Sequence, residues 1–296
     1  MYFWRGYYFG KEGIWCRDFN KEEAFCVLKD SLYKDYMVRA VADNGKTIAV
    51  SRSIDTNEPL LMVDVDKKTI TNTIYNHTFI YPCLDREGSK VFSVTKSDIY
   101  KNIYGNPFCV DAETGKVIAT LDEKTQWGNT AYHPESNSVY FSAFKQPNLY
   151  KFNFDTLMFS AIPTDKKIRI FDCKVACDNK GYYYLGSNIL VYMNNEDEEV
   201  WRINFKEKEK LSGKTLFSIC LSDHPDYIAV YLLDGNWLFI VNRNDFSYKK
   251  YKLGRVGFSE FLNNSLLLID KNYNLSTLNL ETLEEKPFLP TAGAIL

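Results

Sequence analysis

The stretch from Leu216 to Leu253 reads LFSICLSDHPDYIAVYLLDGNWLFIVNRNDFSYKKYKL. Its apolar runs predict four short strands over 217–221, 227–233, 237–241 and 246–253, because each is rich in β-branched and aromatic residues and is bounded by turn formers. Asp234-Gly235 is the strongest turn signal, since a type I′ hairpin turn needs positive φ at both central positions, which Gly adopts without steric cost. The stretch therefore predicts one complete four-stranded antiparallel sheet.

The same order of elements, a small apolar strand, a polar turn and a second strand, returns along nearly the whole chain. The aligned turn residues are Asp43, Asp85, His133, Asp178, Asp223 and Asn263, at spacings between 40 and 48 residues. A period in this range is typical of propeller blades. The sequence thus predicts an all-β protein, a single seven-bladed β-propeller of four-stranded antiparallel blades. The approximate blades are 1–37, 38–79, 80–127, 128–170, 171–213, 214–256 and 257–296.

The first predicted blade has little chain ahead of its turn at Gly6, so its innermost strand is expected to be short or to come from elsewhere. The C-terminal tail, 289–296, is small and apolar, as an innermost strand should be. We expect this tail to close or cap the ring, because closure removes the open sheet edges that invite aggregation.

Composition and charge restrict the class of partner. Lys and Arg number 36 against 38 Asp and Glu, so the formal net charge is −2, and the usual basic footprint of a nucleic-acid binder is missing. A local basic patch remains compatible with this balance. No uncharged run approaches membrane-spanning length, and the N-terminus lacks the pattern of a signal peptide. We therefore expect neither nucleic acid nor membrane as a partner.

The seven cysteines are odd in number, and most lie inside apolar strand patterns. This favours buried thiols in a reducing compartment over a disulfide framework, so we expect a cytoplasmic protein. Cys173 and Cys177, four residues apart on one predicted strand, are interpreted as structural thiols. His77, His133 and His224 are interpreted as turn residues, without a shared metal site.

The outer half of the third blade carries Asp111-Ala-Glu-Thr-Gly115-Lys between two strands. With the repeated strand, Asp-x-x-Gly turn and strand, it resembles the broad superfamily of YVTN-like, TolB-like and quinoprotein-like β-propellers. The resemblance covers essentially the whole chain and implies a fold, not an activity. The Trp-Asp dipeptide of WD repeats and the Gly-Gly pair of kelch repeats are absent, and Val117 and Ile118 stand where quinone-cofactor propellers place Trp. No cofactor is expected.

In a propeller the innermost strands line a central channel, and four aligned carboxylates would lie near one mouth of it. A ring of such oxygens could hold a cation such as Ca²⁺. The alternative is that each Asp caps its own turn by a side-chain-to-backbone hydrogen bond. We favour capping, and expect no metal, because a repeated turn needs a repeated capping residue. The four residues are Asp43, Asp85, Asp178 and Asp223.

The link over 95–106 is much longer than the equivalent Asp234-Gly235 turn, and long loops on rigid scaffolds are disproportionately functional. It should share one face with the connections between blades, which brings aromatic and basic side chains onto one rim. Such a rim suits protein recognition, although Ile99 and Ile103 could simply tuck the loop onto its blade. The predicted partner-binding residues are Lys96, Tyr100, Lys101, Tyr104, Trp127, Phe144 and Lys145.

Two functions remain open from the sequence. The first is a non-enzymatic protein-binding propeller scaffold, either an adaptor or a toxin-neutralising immunity-type protein, that uses the rim. The alternative is a hydrolase or lyase that acts in the central channel on a small sugar or lactone with a divalent cation. No Gly-x-Ser-x-Gly, His-Glu-x-x-His or Walker-type loop occurs, so hydrolytic chemistry has no motif behind it. A small-molecule ligand in the channel is compatible with either.

Overall fold

The computed structural model describes residues 2–8, 11–17, 24–29, 36–52, 58–94, 105–123, 125, 127–143, 146–209, 218–232, 237–252, 256–262, 265–270 and 275–287. Over these residues the chain is almost entirely β, with 27 strands and one helical turn. It divides into two compact units, one of residues 1–141 and 150–160 and the other of residues 142–149 and 161–295. No helix in the described part is long and apolar enough to cross a membrane.

The chain forms its strands in the order of the predicted blades. The first sheet has three described strands, β1 (Tyr2–Tyr8), β2 (Lys11–Arg17) and β3 (Ala24–Leu28). The second consists of β4 (Met37–Val41), β5 (Thr47–Ser51), β6 (Leu60–Asp64) and β7 (Thr69–Ile74). The third consists of β8 (Ile80–Leu84), β9 (Lys90–Val94), β10 (Pro107–Asp111) and β11 (Val117–Thr120). The fourth consists of β12 (Trp127–His133), β13 (Ser138–Ala143), β14 (Leu149–Asn153) and β15 (Met158–Ile162).

Three further sheets follow. The fifth consists of β16 (Ile170–Val175), β17 (Gly181–Gly186), β18 (Ile189–Asn194) and β19 (Glu199–Asn204), followed by the helical turn α1 (Phe205–Glu209). The sixth consists of β20 (Ser218–Asp223), β21 (Tyr227–Leu232), β22 (Trp237–Asn242) and β23 (Tyr248–Lys252). The seventh consists of β24 (Val256–Leu262), β25 (Ser265–Asp270), β26 (Leu275–Asn279) and β27 (Glu285–Pro287).

The sixth sheet is the one predicted from the opening stretch, and its four antiparallel strands are confirmed. β21 pairs antiparallel with β22, from Tyr227 opposite Asn242 to Leu232 opposite Trp237. The hairpin residues themselves, Asp234 and Gly235, lie outside the described residues. The prediction of an all-β chain built from four-stranded antiparallel sheets is therefore correct for six of the described sheets.

Three strands of the first sheet lie among the described residues, and which strand of the predicted blade they leave out is not shown, so the expectation of a short or borrowed innermost strand stays a prediction. The tail 289–296, which was expected to close the ring, lies outside the described residues, so its role stays a prediction.

Within each unit, consecutive sheets approach one another through their first strands. In the first unit β4 lies beside β8 and β8 beside β12, and in the second unit β16 lies beside β20 and β20 beside β24. The apolar core fills the spaces between sheets. One cluster joins Ile14 and Val27 of the first sheet to Ile48 and Val63 of the second, and other clusters fill the spaces between the second and third, fifth and sixth, and sixth and seventh sheets.

A cluster of aromatic rings packs between the third and fourth sheets in the first unit. The Phe92 ring is buried, with centroid distances of 5.0 Å to Phe141, 5.4 Å to Phe152 and 6.4 Å to Phe159. Such rings bury large apolar areas, and offset or tilted pairs add a further favourable contribution. The cluster should therefore be one of the main sources of stability in this unit.

Replacing Phe92 by Ala should lower the free energy of unfolding by about 3–5 kcal/mol, because the truncation leaves a cavity among rings that cannot collapse to fill it. The measurement is denaturant unfolding followed by circular dichroism. Val117→Ala is the matched control, since Val117 is 47% exposed and its truncation should change stability by less than about 0.5 kcal/mol. Equal effects of the two substitutions would contradict this account of the core.

Candidate functional site

Trp127 is the predicted rim residue whose side chain the structure describes, and it is not on the surface. It opens β12, is 6% exposed, and its Nε1–H donates to the carbonyl oxygen of Gly105 at 2.7 Å. Its ring packs against Phe141 and Tyr150, with both centroid distances 5.4 Å. The prediction that Trp127 binds a partner from an exposed rim was therefore wrong, because the indole lies inside an aromatic cluster and its polar atom is hydrogen-bonded there. The other predicted rim residues, which lie outside the described residues, are Lys96, Tyr100, Lys101, Tyr104, Phe144 and Lys145.

The aligned carboxylates make turn-capping hydrogen bonds. Asp85 is 3% exposed, and its carboxylate accepts from Ser89 Oγ at 2.6 Å and from the Lys90 backbone N–H at 2.9 Å. Asp178 accepts from the Lys180 backbone N–H at 3.1 Å and pairs with Arg243 Nη2 at 3.0 Å. These contacts are the capping alternative.

The other two carboxylates give no support to the hypothesis of a ring of carboxylates that holds a cation. Asp43 is exposed, and the side chain of Asp223 is outside the described part. Among the described residues no three His, Cys, Asp or Glu side chains are arranged to hold a metal ion.

Two of the histidines make turn contacts of the same kind. His133 Nδ1 lies 3.3 Å from the Ser136 backbone N–H, and His224 Nδ1 lies 3.2 Å from that of Asp226. Each ring nitrogen accepts from an N–H two or three residues ahead, as turn side chains commonly do. His77 instead packs beside two Phe rings and bonds the Gly115 carbonyl at 3.2 Å.

The turns of neighbouring sheets are joined by a buried amide. Asn137 Oδ1 accepts from the Arg86 backbone N–H at 3.1 Å and from Tyr132 Oη at 3.0 Å, while its Nδ2 donates to Asp155 Oδ1 at 2.7 Å. Burial raises the pKa of Tyr132 above its ordinary value, so the phenol keeps the proton that it donates. This network fixes the turns, and its polar groups are already engaged with one another.

The first strands share an irregularity that the sequence period does not reveal. In β4, β8, β16, β20 and β24 the pairing with the next strand shifts by one residue, which is the mark of a β-bulge. In β4 the extra residue is Arg39. On its two sides Val38 packs into the core between the first and second sheets, whereas Ala40 packs into the core between the second and third. In a regular strand residues two apart lie on the same face, so the bulge is the reason that Val38 and Ala40 lie on opposite faces.

The bulge in β8 places Tyr81 in the left-handed region, at a φ of 49°. A bulky residue held there costs on the order of 1–3 kcal/mol, and such strain clusters at functional sites. The surroundings hold the conformation. Ser93 Oγ accepts from the Ile80 backbone N–H at 2.8 Å, and Thr130 Oγ1 donates to the Tyr81 carbonyl at 2.9 Å. The side chain of Tyr81 remains 45% exposed.

Apolar side chains therefore stay exposed on two adjacent first strands. Met37 and Val41 of β4 are each 40% exposed, close to the value for Tyr81 of β8. Arg39 lies between them on β4, and its Nε donates to Ser51 Oγ at 3.0 Å. Burial lowers the pKa of Arg39 from its ordinary value, but a guanidinium stays protonated near neutral pH. We call Met37, Arg39, Val41 and Tyr81 together the first-strand surface; Met37 and Val41 lie on opposite faces of β4, on the two sides of its bulge.

Sequence reasoning missed this surface, although one signal for it was present. Pro82 cannot donate a ladder hydrogen bond, and Pro inside a strand is confined to edges and bulges. Tyr81-Pro82 therefore marks the bulge in β8. Gly257 is a similar mark in β24, because Gly inside a strand often indicates a bulge, whereas the extra residues in β4, β16 and β20 carry no such mark.

The described thiols are of a structural kind, with one exception. Burial raises the pKa of Cys83 from 9.0 to about 11, and its Sγ lies 3.2 Å from Thr130 Oγ1. Burial also raises the pKa of Cys109. Cys177 is exposed and lies 3.1 Å from Arg243 Nη1, in the turn after β16, so it does not share a strand face with the buried Cys173 as predicted.

Comparison with solved structures shows the fold. The β-propeller domain of Myceliophteria thermophila Cps50 (Swd1) is 12% identical, with a TM-score of 0.57 over 84% of each chain. The periplasmic gluconolactonase PpgL of Pseudomonas aeruginosa is 11% identical, with a TM-score of 0.63 over 96% of this chain and 94% of that one. The dihydro-heme d1 dehydrogenase NirN, in complex with DHE, is 10% identical, with a TM-score of 0.64 over 86% of this chain and 56% of that one.

These likenesses confirm the β-propeller resemblance at the level of the fold. At such identities they show the fold alone. No protein-family model matches the chain, and no curated protein matches it.

Trp127→Ala should lower the free energy of unfolding by about 3–5 kcal/mol, as truncations of buried aromatic side chains do. Thermal and denaturant unfolding measure this. The matched control is Tyr75→Ala, since Tyr75 is 61% exposed and should tolerate truncation within about 0.5 kcal/mol. If the Trp127→Ala protein were as stable as the unmodified chain, the description of Trp127 as a buried core residue would be contradicted.

Alkylation of the native protein by N-ethylmaleimide should modify Cys177 well before Cys83, because Cys83 is buried and its raised pKa leaves almost no thiolate at neutral pH. Peptide mapping by mass spectrometry follows both sites. As the pH rises from about 9 to about 11 the unfolded chain releases the Cys83 proton first, so the contribution of Cys83 to stability is lost over that interval. Rapid native labelling of Cys83 would refute its assignment as a buried structural thiol.

Proposed function

We propose that the chain is a non-enzymatic seven-bladed β-propeller that binds another protein. The observation that carries the proposal is the first-strand surface, where Met37, Val41 and Tyr81 expose apolar side chains on neighbouring strands. The number of blades rests on the seven described sheets and on the period of the sequence. The three-stranded first sheet would gain its fourth strand from the tail 289–296.

The composition of the first-strand surface suits a protein partner. Tyr and Arg are enriched among the residues that dominate interface energies, and Met adapts to irregular apolar surfaces. The hydrogen bonds of Ser93 and Thr130 to the backbone of Ile80 and Tyr81 hold the strained conformation, so the point from which the Tyr81 side chain leaves the strand is fixed. A preorganised anchor loses less conformational freedom on binding.

The long loop 95–106 and residues 144–145 remain part of the proposal as a second portion of the interface, now without Trp127. The residues proposed there are Lys96, Tyr100, Lys101, Tyr104, Phe144 and Lys145. An adaptor and a toxin-neutralising protein would both use such a surface, and a cytoplasmic location would suit either.

The alternative, a channel-site hydrolase or lyase, was expected to use the aligned carboxylates and a cation. Two observations weigh against that use. The carboxylate of Asp85 already accepts hydrogen bonds from Ser89 and Lys90. The carboxylate of Asp178 accepts one from Lys180 and forms an ion pair with Arg243. A carboxylate that already accepts several hydrogen bonds must give them up before it can coordinate a metal ion, which weakens the site.

The protein-binding proposal is tested by affinity capture from cells that produce the chain. The double variant Met37→Glu with Tyr81→Ala should lose at least nine-tenths of the captured partner while its melting temperature stays within a few degrees, because both side chains are exposed. Met158→Glu is the control, since Met158 is 65% exposed on the outer strand β15. Equal capture by the double variant and the control would exclude the first-strand surface as the interface.

Calcium should leave the melting temperature unchanged at millimolar concentration, because the carboxylates of Asp85 and Asp178 are engaged within their own turns and ion pairs. A ligand that binds only the folded state raises the free energy of unfolding by RT ln(1 + [L]/Kd), so a scanning fluorimetry titration is a direct measurement. A saturable rise in melting temperature, abolished by Asp85→Asn, would instead favour the cation-dependent enzyme.

A further inference from the structure

The last strand of the sixth sheet differs from the corresponding strands of other sheets. β23 has the sequence Tyr-Lys-Lys-Tyr-Lys, with lysines at three of five positions. β7, β11 and β15, which also end four-stranded sheets, carry no charged residue, and β19 and β27 each carry one basic and one acidic residue. Lysine on an edge strand commonly protects against aggregation. Here that explanation is incomplete, because three comparable edges of the same chain do without it.

The lysines of β23 are held against aromatic rings. Lys250 and Lys252 lie opposite Phe239 and Trp237 of β22, so they share one face of the sheet. The Nζ atoms of Lys250 and Lys252 are 3.9 Å and 5.5 Å from the centroid of the Trp237 ring. Cation–π contacts of this kind orient long side chains without neutralising their charge.

Positive charge on this face exceeds the negative charge that pairs with it. Lys250 forms an ion pair with Glu209 of α1 at 2.5 Å. Lys252 is exposed, and so is Lys208, whose Nζ lies 5.7 Å from the Tyr248 ring centroid. No carboxylate of the described chain lies within ion-pairing distance of Lys208 or Lys252, so both charges are available to an incoming anion. Lys208, Trp237, Tyr248, Lys250 and Lys252 form what we call the β23 surface.

The outer edge of β23 is open to a further strand. In the described chain β23 ends its sheet, and no other strand pairs with its second edge. An edge of this kind offers alternate backbone N–H and C=O groups, which an extended peptide can match and which neither a nucleic acid nor a lipid surface can. A short acidic peptide strand fits both this open edge and the surplus of positive charge beside it.

We propose that the β23 surface binds an extended acidic segment of a partner protein, which adds a strand to the edge of β23. This inference names the partner chemistry of a second surface and rests on the proposed protein-binding function. Successive side chains of a strand point to opposite faces, so the segment would carry its acidic residues at alternate positions and place them on the face of Lys250 and Lys252.

The test uses a short synthetic peptide in which Glu and Val alternate, and the full-length chain. Binding should quench or shift the emission of Trp237 and should saturate at submillimolar peptide in low salt. Lys208→Glu with Lys252→Glu should weaken binding at least tenfold, because both charges face the peptide and exposed charges interact most strongly at low ionic strength. Fluorescence anisotropy of a labelled peptide measures the same binding independently of the tryptophan emission.

The control is Lys166→Glu with Lys167→Glu, which makes the same change in net charge at two exposed lysines of the same unit. It should leave binding within twofold. Three outcomes would overturn the proposal: no saturable binding at millimolar peptide, equal binding of a Lys-Val alternating peptide, or tighter variant-sensitive binding of an oligonucleotide or anionic vesicles. The variant Met37→Glu with Tyr81→Ala should bind the peptide normally, so failure at the first-strand surface is distinguishable from failure here.

Discussion

Each unit depends on burying the apolar faces of its consecutive sheets against one another. Ile228 and Val230 of β21 pack towards the fifth sheet, whereas Ala229 and Tyr231 pack towards the seventh, because successive side chains of a strand point to opposite faces. A strand with both faces covered must be apolar along its length, as the central strands of this chain are. Polar residues are then displaced to turns and outermost strands, where the capping aspartates and the lysines of β23 lie.

The first strands escape part of this constraint. They adjoin the first strands of neighbouring sheets, and a one-residue bulge in each of five re-aims their side chains. A residue at a bulge does not follow the alternation of side chains between the two faces of the sheet. Arg39 and Tyr81 therefore need not be small or apolar enough to pack in the core. That freedom has a conformational cost at Tyr81, which Ser93 and Thr130 offset by hydrogen bonds to the displaced backbone.

The sequence was sufficient for the strands and their order, because alternating and apolar runs between turn formers have a direct physical meaning. It was also sufficient for the capping role of Asp85 and Asp178. It failed for Trp127, which was assigned to a surface connection although it opens β12 and is buried. It also failed for the bulges, since an inserted residue changes the register of a ladder without changing the composition of the strand. The lysines of β23 were visible in the sequence, but the placement of Lys208 and Trp237 beside them depends on α1 and β22.

The two proposed surfaces rest on different physical interactions, which gives them different properties. The first-strand surface is apolar apart from one arginine that is already hydrogen-bonded, so its affinity would come from desolvation and would change little with ionic strength. The β23 surface relies on exposed lysines, whose attraction for an anion is screened over about 10 Å at moderate salt. Electrostatic attraction accelerates encounter, whereas desolvated anchors slow dissociation. Raising the salt concentration should therefore slow the association of an acidic segment with the β23 surface, whereas the dissociation of a partner from Met37 and Tyr81 should change little.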